Sequence, residues 1–262
     1  MNVNLKDKVV IVTGGGGAIG SAMCLEFARN GAIVIVAGII KEELDRVVDL
    51  IEAENGKAYA VVCDVSKKES TQAMVDEVVA RYGHIDCLVN NAGINGGPDK
   101  RKPIYEYDDE LWQNIMNVDL NGVYYCSKPV ILQMKKQGTG GSIINIGSTT
   151  GLVSLRLQCA FTAAKAGVIQ LSKTMALELA PLNIRVNAIA PGSILFEGTR
   201  KLFYADAEKA EAILSHIPQH RAGSPEEIAA MACFLASDDA SYMTGSVVTI
   251  DGGWTCGYTR DF

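Results

Sequence analysis

The chain has 262 residues, of which 48% are hydrophobic and 21% are charged, so it is long enough for one large α/β domain or two small ones and too apolar to be disordered. Its net charge of −6 and its lack of a Lys/Arg-rich run argue against a nucleic-acid partner. The N-terminal residues Met1–Lys8 contain no apolar signal core, and the longest apolar run, Ala32–Ile40, is too short to cross a membrane. The seven cysteines include no Cys-x-x-Cys pair, which favours free thiols in a reducing cytoplasm and argues against a metal site.

Short apolar runs alternate with longer amphipathic stretches along the chain. Strands are predicted at Val9–Val12, Ile33–Val36, Ala58–Val62, Ile85–Val89, Ser142–Ile146, Ile184–Ala188 and Val247–Ile250. Helices are predicted at Ala18–Asn30, Glu42–Glu54, Lys67–Tyr82, Asp109–Lys136, Cys159–Leu179 and, after an irregular region, Pro225–Ala236. Continuous apolar strands joined by helices imply a parallel sheet that is covered on both faces. Because no linker or repeat marks a second domain, we predict a single-domain, Rossmann-type doubly wound α/β fold of about seven strands over residues 1–262.

The first predicted strand leads directly into a glycine-rich turn, Thr13-Gly14-Gly15-Gly16-Gly17-Ala18-Ile19-Gly20, and then into a helix. Glycines let the backbone turn sharply and approach a pyrophosphate, which the positive end of a helix attracts. A flexible turn is the alternative, but the position between a strand and a helix favours a dinucleotide site. The candidate cofactor-binding residues in this turn are Gly14, Gly16, Gly17, Ile19 and Gly20.

Further motifs follow later predicted strands. They are Cys63-Asp64-Val65, Asn90-Asn91-Ala92-Gly93, Ser148 with Phe161-Thr162-Ala163-Ala164-Lys165 thirteen residues later, Pro191-Gly192-Ser193-Ile194 and Thr249-Ile250-Asp251-Gly252-Gly253. With the glycine-rich turn, this set resembles the short-chain dehydrogenase/reductase family, in particular its 3-oxoacyl-acyl-carrier-protein reductases and sugar or polyol dehydrogenases. The motifs span residues 13–253. The resemblance implies an NAD(P)-dependent enzyme that interconverts a secondary alcohol and a ketone.

The resemblance also implies cofactor contacts outside the glycine-rich turn. They are Asp64 and Val65 near the adenine, Asn91, Ala92 and Gly93 after the fourth strand, Lys165 at the nicotinamide ribose, and Pro191, Gly192 and Ile194 at the nicotinamide end. An acid at the start of a helix, before Ser66, is an equally acceptable role for Asp64. The closing motif at Thr249–Gly253 is expected to be structural.

The end of the second strand, Val36-Ala37-Gly38-Ile39-Ile40-Lys41, leaves the choice between NAD and NADP open. In the family, NAD-binding members usually carry an acid at the position of Gly38, and NADP-binding members carry Arg or Lys nearby. Neither is present unless Lys41 reaches back, and Gly38 could simply shape the strand end and leave a permissive site. We favour NAD, because no basic residue occupies the glycine-rich turn. Ala18 replaces the middle glycine of the family pattern, and we expect the site to tolerate its methyl group.

The catalytic set departs from the family at one central position. By resemblance, Ser148 polarises the substrate oxygen, Lys165 lowers the pKa of a catalytic Tyr, and that Tyr exchanges a proton with the substrate; here the Tyr position holds Phe161. Phe161 and Lys165 share a helix face, whereas Thr162 is rotated away by roughly 100°. Loss of a positioned acid/base costs on the order of 10²–10⁴ in rate. We therefore expect severely impaired turnover with cofactor binding largely kept.

A second departure lies on the predicted long helix. Seven residues after Trp112, where the family usually carries a catalytic Asn, this chain has Asp119. Asn117 is a poor replacement, because two residues turn a helix by about 200°. Asp119 could anchor a water near Lys165, pair with Lys165, or be a helix residue without a catalytic part.

Two readings explain Phe161. A working enzyme has been altered at one position to trap a substrate, or a natural member has lost its hydride chemistry and binds a nucleotide for regulation or scaffolding. The otherwise intact motifs favour the first reading, because widespread decay is not evident.

The substrate-binding segments are the least readable part of the sequence. The loop Gly96–Pro103 carries three bases that could meet a carboxylate or phosphate or simply be solvated. By resemblance, Leu195–Ala222 is a lid over the substrate, and its polar residues, Glu197, Arg200, Tyr204, His216, His220 and Arg221, favour a sugar, polyol or sugar acid. The aromatic tail Trp254–Phe262 is expected to pack on a neighbouring subunit of a homotetramer, with an intrachain cap as the alternative.

Overall fold

A seven-stranded parallel sheet forms the centre of the molecule, for which the computed structural model describes residues 3–200, 204 and 206–257. Its strands are β1 Val9–Thr13, β2 Ile33–Gly38, β3 Lys57–Val62, β4 Cys87–Asn90, β5 Gly141–Ile146, β6 Ile184–Pro191 and β7 Val247–Ile250. They lie in the order β3-β2-β1-β4-β5-β6-β7, and every neighbouring pair is parallel. The prediction of a doubly wound parallel sheet is confirmed. The sheet grows in opposite directions from β1 and β4, and open α/β sheets bind ligands at the carboxyl ends of the strands at such a point.

The helices connect these strands on both sides of the sheet. They are α1 Ala18–Arg29, α2 Lys41–Ala53, α3 Lys68–Tyr82, α4 Asp109–Ile115, α5 Gly122–Gln137, α6 Cys159–Leu179, α7 Ala207–Leu214 and α8 Pro225–Ala236. Two differences from the predicted elements concern the site. The helix expected over Asp109–Lys136 is interrupted by a π-helical segment, Met116–Asn121, and α7 forms inside the region expected to be irregular because its Ala, Glu and Leu residues favour a helix.

The sheet is buried on both faces, and alternate strand residues serve the two faces. In β1, Val10 and Val12 face the layer of α1, α2 and α8, whereas Val9 and Ile11 face the layer of α3, α5 and α6. All four side chains are fully buried. This double burial explains why the strands read as continuous apolar runs rather than as alternating patterns.

The helical stretch that carries Asp119 departs twice from regular α-helical geometry. The π-helical segment contains Asp119 itself, and Pro129 lies inside α5. Proline cannot donate to the carbonyl four residues earlier, and here the carbonyl of Tyr125 accepts a hydrogen bond from Thr71 Oγ1 instead, at 3.0 Å. The stretch is thus tied to α3 while the π turn changes the direction of the residues that follow it.

All seven cysteines are free, and five are buried, Cys24, Cys63, Cys87, Cys126 and Cys233. Burial raises the pKa of Cys87 to about 12, so this thiol packs as a small apolar group. Within the described residues, no cluster of His, Cys, Asp and Glu could hold a metal ion, and none of the helices has the length and apolar character needed to cross a membrane.

Candidate active site

The turn between β1 and α1 brings backbone atoms together where side chains would not fit. Gly14 adopts φ +63°, a conformation that L side chains rarely take, and a Cβ there would lie 2.9 Å from the Cα of Ala92. A Cβ on Gly20 would collide with the carbonyl oxygen of Gly14. The N-cap of α1, Gly17, offers no side-chain hydrogen bond to the first N–H groups of the helix. A close backbone approach beside an uncapped helix start suits the pyrophosphate of a dinucleotide.

The Asn-Asn-Ala-Gly motif is joined directly to this turn. Asn91 Nδ2 donates to the carbonyls of Thr13 at 2.9 Å and Gly14 at 3.2 Å. In return, Thr13 Oγ1 accepts from the backbone N–H groups of Asn91 and Ala92, at 3.0 and 3.1 Å. Asn91 and Gly93 border the large cavity described below, whereas Ala92 packs against the core.

Asp64 and Val65 lie outside that cavity. Asp64 accepts hydrogen bonds from the Ser66 hydroxyl at 2.6 Å and the Ser66 N–H at 3.0 Å, and it pairs with Lys67 at 3.3 Å. The Ser66 hydroxyl is the main reason that the pKa of Asp64 is lowered. Val65 is buried, and a Cβ on Gly122 of α5 would lie 2.9 Å from it. These contacts match the alternative role of Asp64, in which its carboxylate orders the start of α3.

At the end of β2, the charged side chains come from α2. Lys41 does not reach back, because its ammonium pairs with Asp45 one helical turn further on, at 2.6 Å. Instead, Arg46 Nη2 donates to the carbonyl of Gly16 at 3.4 Å, and Glu43 Oε2 lies 3.2 Å from the place where a Cβ on Gly16 would be. Sequence reasoning missed these two residues, although their three-residue spacing puts them on one helix face.

Ser148, Phe161 and Lys165 border one cavity of about 1090 Å³. Ser148 follows β5, and its Oγ accepts a hydrogen bond from the N–H of Thr150 at 3.2 Å. Phe161 and Lys165 project from α6, with Lys165 Nζ 5.5 Å from the centre of the Phe161 ring. Thr162 does not border the cavity, and its buried Oγ1 has no hydrogen-bond partner among the described residues.

Asp119 forms a buried ion pair with Lys165. The Asp119 side chain is 0% exposed, and its Oδ2 lies 3.2 Å from Lys165 Nζ, at ion-pair distance but outside hydrogen-bond geometry. Its Oδ1 accepts from the N–H of Ile94 at 2.8 Å, and Lys165 Nζ donates to the carbonyl of Ile146 at 3.0 Å. Burial raises the pKa of Asp119, although the Lys165 ammonium and the Ile94 N–H oppose that change. Of the roles considered for Asp119, pairing with Lys165 matches the geometry.

Two glycines lie at points of the site where a side chain would collide with its neighbours. A Cβ on Gly93 would lie 2.9 Å from Asp119 Oδ2 and 3.3 Å from Lys165 Nζ. A Cβ on Gly192 would lie 2.7 Å from the Cα of Asp251, in the turn that closes β7. Asp251 accepts hydrogen bonds from the N–H and hydroxyl of Thr255, at 2.9 and 2.7 Å, and so holds Thr255 at the cavity wall.

The remaining wall comes from the predicted lid, the loop after β4 and the start of α6. Lid residues at the wall are Phe196, Thr199, Ala212, Ile213 and His216, beside Pro191, Gly192 and Ile194 of the turn after β6. Of the six polar lid residues named from the sequence, the wall includes only His216. Tyr204 instead bonds Ser193 at 2.6 Å, Arg221 pairs with Glu227 at 2.7 Å, and His220 lies 3.6 Å from Glu211. Tyr204, Arg221 and His220 therefore contact the turn after β6, α8 and the lid itself rather than the cavity. Residues 201–203 and 205 lie outside the described part.

Comparison with known proteins places these features in context. A family profile described as "Enoyl-(Acyl carrier protein) reductase" matches residues 16–255. The 3-oxoacyl-(acyl-carrier-protein) reductase FabG of Thermotoga maritima is 44% identical over 252 residues, which cover 96% of this chain and 99% of that protein. The crystal structure of a short-chain type dehydrogenase/reductase from Mycobacterium marinum matches with a TM-score of 0.89 at 35% identity, covering 97% of this chain and 98% of that one. The structure of a gluconate 5-dehydrogenase from Burkholderia cenocepacia J2315 in complex with NADP and tartrate matches with a TM-score of 0.91 at 30% identity, covering 98% of each chain.

Proposed function

The chain belongs to the short-chain dehydrogenase/reductase family of NAD(P)-dependent oxidoreductases, and we propose that it acts on the secondary alcohol or ketone of a hydroxylated small molecule, with turnover impaired by Phe161. One observation carries this proposal. Ser148 and Lys165 flank Phe161 in a single cavity that also reaches the glycine-rich turn through Ile19. The machinery for positioning substrate and cofactor is present, and the proton donor is absent.

The side chains have separable tasks in this proposal. When bound, NAD(P) supplies or accepts the hydride. Ser148 donates a hydrogen bond to the substrate oxygen, which helps to orient the substrate. Lys165, held by Ile146 and Asp119, binds the nicotinamide ribose. Phe161 fills the place of the acid/base but has no proton to exchange, so the alcohol–ketone step loses its proton transfer.

We propose NAD as the cofactor in preference to NADP. The Glu43 carboxylate near Gly16 provides an acid at the turn although Gly38 provides none, and a carboxylate there favours ribose hydroxyls over a 2′-phosphate. Arg46 acts in the opposite direction, because its guanidinium reaches the same turn. The B. cenocepacia gluconate 5-dehydrogenase was crystallised with NADP, so cofactor choice must be measured for this chain.

Isothermal titration with NAD(H) and NADP(H) tests the cofactor half of the proposal. We expect NAD and NADH both to bind, and each to bind more tightly than its NADP(H) counterpart. Glu43→Gln should narrow that preference, whereas the matched control Glu42→Gln should leave it unchanged. Absence of binding by either cofactor would overturn the proposed function.

A second candidate function is favoured by Phe161 itself. A member without the acid/base could bind the nucleotide as a regulatory or scaffolding protein. The intact Ser148 supports the first candidate, because a protein that only binds the nucleotide needs the glycine turn and Lys165 but has no use for a hydroxyl at the substrate oxygen. Restoring the hydroxyl at residue 161 distinguishes the two candidates.

We also propose that the protein is a cytoplasmic homotetramer. In the family, subunits meet through the helices that correspond to α5 and α6, and here these helices expose Tyr124, Leu132 and Leu177. Free cysteines fit a reducing compartment. Of the tail Trp254–Phe262 that is expected to pack on a neighbour, 258–262 lie outside the described residues, and Trp254 and Thr255 border the cavity of their own chain. Light scattering should give a mass four times that of the chain, and a monomer would contradict the assembly.

A further inference from the structure

A set of apolar side chains borders the same cavity as Ser148. They come from three regions that are far apart in the sequence: the segment after β5, the lid with α7, and the turn after β7. Together these residues are called the apolar wall, and they are Val153, Leu155, Phe196, Ile213 and Trp254. Sites that bind small molecules are commonly built in this way, with an apolar lining and a few polar groups that fix the orientation of the ligand.

Two members of the apolar wall remain accessible to water. Val153 is 58% exposed and Leu155 is 38% exposed, and both lie in the segment that follows Ser148. A single exposed apolar side chain is ordinary, but these two converge on one cavity with three other apolar residues. Covering them with an apolar ligand removes their surface from water, which favours binding in proportion to the area that is buried.

Polar side chains also border the cavity, but several of them are already bonded within the protein. Thr199 Oγ1 donates to the carbonyl of Ile194 at 2.8 Å and accepts from the N–H of Phe196 at 2.8 Å. The Thr255 hydroxyl donates to Asp251 at 2.7 Å. Two further wall residues with such bonds are Ser193, to Tyr204 at 2.6 Å, and His216, to the carbonyl of Ala212 at 2.7 Å. A polyol entering this cavity would give up hydrogen bonds to water that these groups are poorly placed to replace.

We infer that the substrate presents its secondary alcohol or ketone on a mainly apolar skeleton, which packs against the apolar wall while Ser148 bonds the reacting oxygen. The inference rests on the proposed function and narrows its substrate from hydroxylated compounds in general to those with few hydroxyl groups. The reacting atoms are the same in both cases. The apolar wall determines which skeletons are bound, and it disfavours the sugar or polyol that the polarity of the lid sequence suggests.

Two ligand sets test the inference on the protein with Phe161, which should bind substrates without consuming them. Cyclohexanol against inositol compares one hydroxyl group with six on the same ring, and linear secondary alcohols of four to eight carbons form a homologous series. Each compound is titrated into protein saturated with NAD. We expect cyclohexanol to bind at least about tenfold more tightly than inositol, and each added methylene of the series to strengthen binding about threefold to fourfold.

Leu155→Asn and its matched control Leu152→Asn locate the apolar contact. Both leucines belong to the segment after β5 and are similarly accessible, at 38% and 44%, but of the two only Leu155 borders the cavity. Leu155→Asn should weaken binding of the eight-carbon alcohol about fivefold to tenfold and reduce the gain per methylene. Leu152→Asn should leave both quantities unchanged.

Three results with the parent protein would overturn the inference: tighter binding of inositol than of cyclohexanol, no dependence on chain length, or no binding of any alcohol. Equal losses in Leu155→Asn and Leu152→Asn would also overturn it, because the apolar attraction would then arise outside the cavity. The proposed function fails separately, when neither NAD(H) nor NADP(H) binds to the protein alone.

Discussion

Replacing Asp119 by Asn tests the ion pair at the centre of the site. The amide oxygen of Asn can still accept the hydrogen bond from Ile94 N–H, so the substitution removes the negative charge and places an NH2 group opposite the Lys165 ammonium. Lys165, only 5% exposed, then keeps the carbonyl of Ile146 as its partner but loses its counter-charge. We expect Asp119→Asn to lower the free energy of unfolding.

The magnitude follows from the separation and the surroundings. At 3.2 Å and an effective dielectric constant of about 20, two unit charges attract by about 5 kcal/mol. Neutralising Asp119 regains its desolvation cost, and breaking a buried pair usually destabilises a protein by about 3–5 kcal/mol. Because Lys165 borders an open cavity and keeps Ile146, we expect a smaller loss, of about 2 kcal/mol. For a chain of this size that lowers the melting temperature by about 4–8 °C.

Urea denaturation at neutral pH measures the effect, with Lys165→Met and the double variant completing a cycle. The double variant should lose less than the sum of the single losses, because each single change leaves the other charge buried without its partner. An Asp119→Asn variant as stable as the parent, or strictly additive losses, would refute the ion pair as a contributor to stability.

Two further predictions concern packing and pH. Gly20→Ala should destabilise the protein by about 1–3 kcal/mol and abolish cofactor binding, because the new methyl group meets the carbonyl of Gly14. The control Gly17→Ala should cost below about 1 kcal/mol. Equal urea unfolding midpoints for the two variants would contradict this prediction. Arg221 holds the pKa of Glu227 at about 2, below the ordinary value of 4.5, so the charged pair stabilises the fold above pH 4.5 and this contribution is lost as the pH falls towards 2. Glu227→Gln should therefore cost below about 1 kcal/mol at pH 7 and progressively less in acid, and a pH-independent difference between melting curves would be contrary to this reasoning.

The fold could be predicted because its strands are continuous apolar runs, which are typical of a parallel sheet that is buried on both faces. The four-residue spacing of Phe161 and Lys165 predicted that they share one face of a helix, and their place at the site came from the family resemblance. The π-helical segment could not be predicted, since it depends on how the stretch before α5 packs against the sheet. That segment nevertheless directs Asp119 to Lys165, while Asn117 bonds Gln113 and Asn121 instead.

The sequence could not predict where the side chains of loops point or which long-range contacts form. The loop after β4 carries three bases, Lys100, Arg101 and Lys102, which look alike in sequence. Of these three described residues, only Arg101 borders the cavity. Gln158, which borders the cavity just before α6, gave no signal, because a polar residue before a helix is ordinary. Glu43 and Arg46 reach the glycine turn only because α2 packs beside α1.

Phe161→Tyr is the measurement that tests the account most directly. Oxidation of hydroxy acids and other secondary alcohols is followed as the formation of reduced cofactor, for the parent, for Phe161→Tyr and for Phe161→Leu, which alters the ring without adding a hydroxyl. The account predicts a gain of about 10²–10⁴ in turnover for Phe161→Tyr alone, with cofactor affinity unchanged in that variant. No activity of Phe161→Tyr on any alcohol or ketone, with the cofactor still bound, would contradict it and leave a nucleotide-binding protein without hydride chemistry.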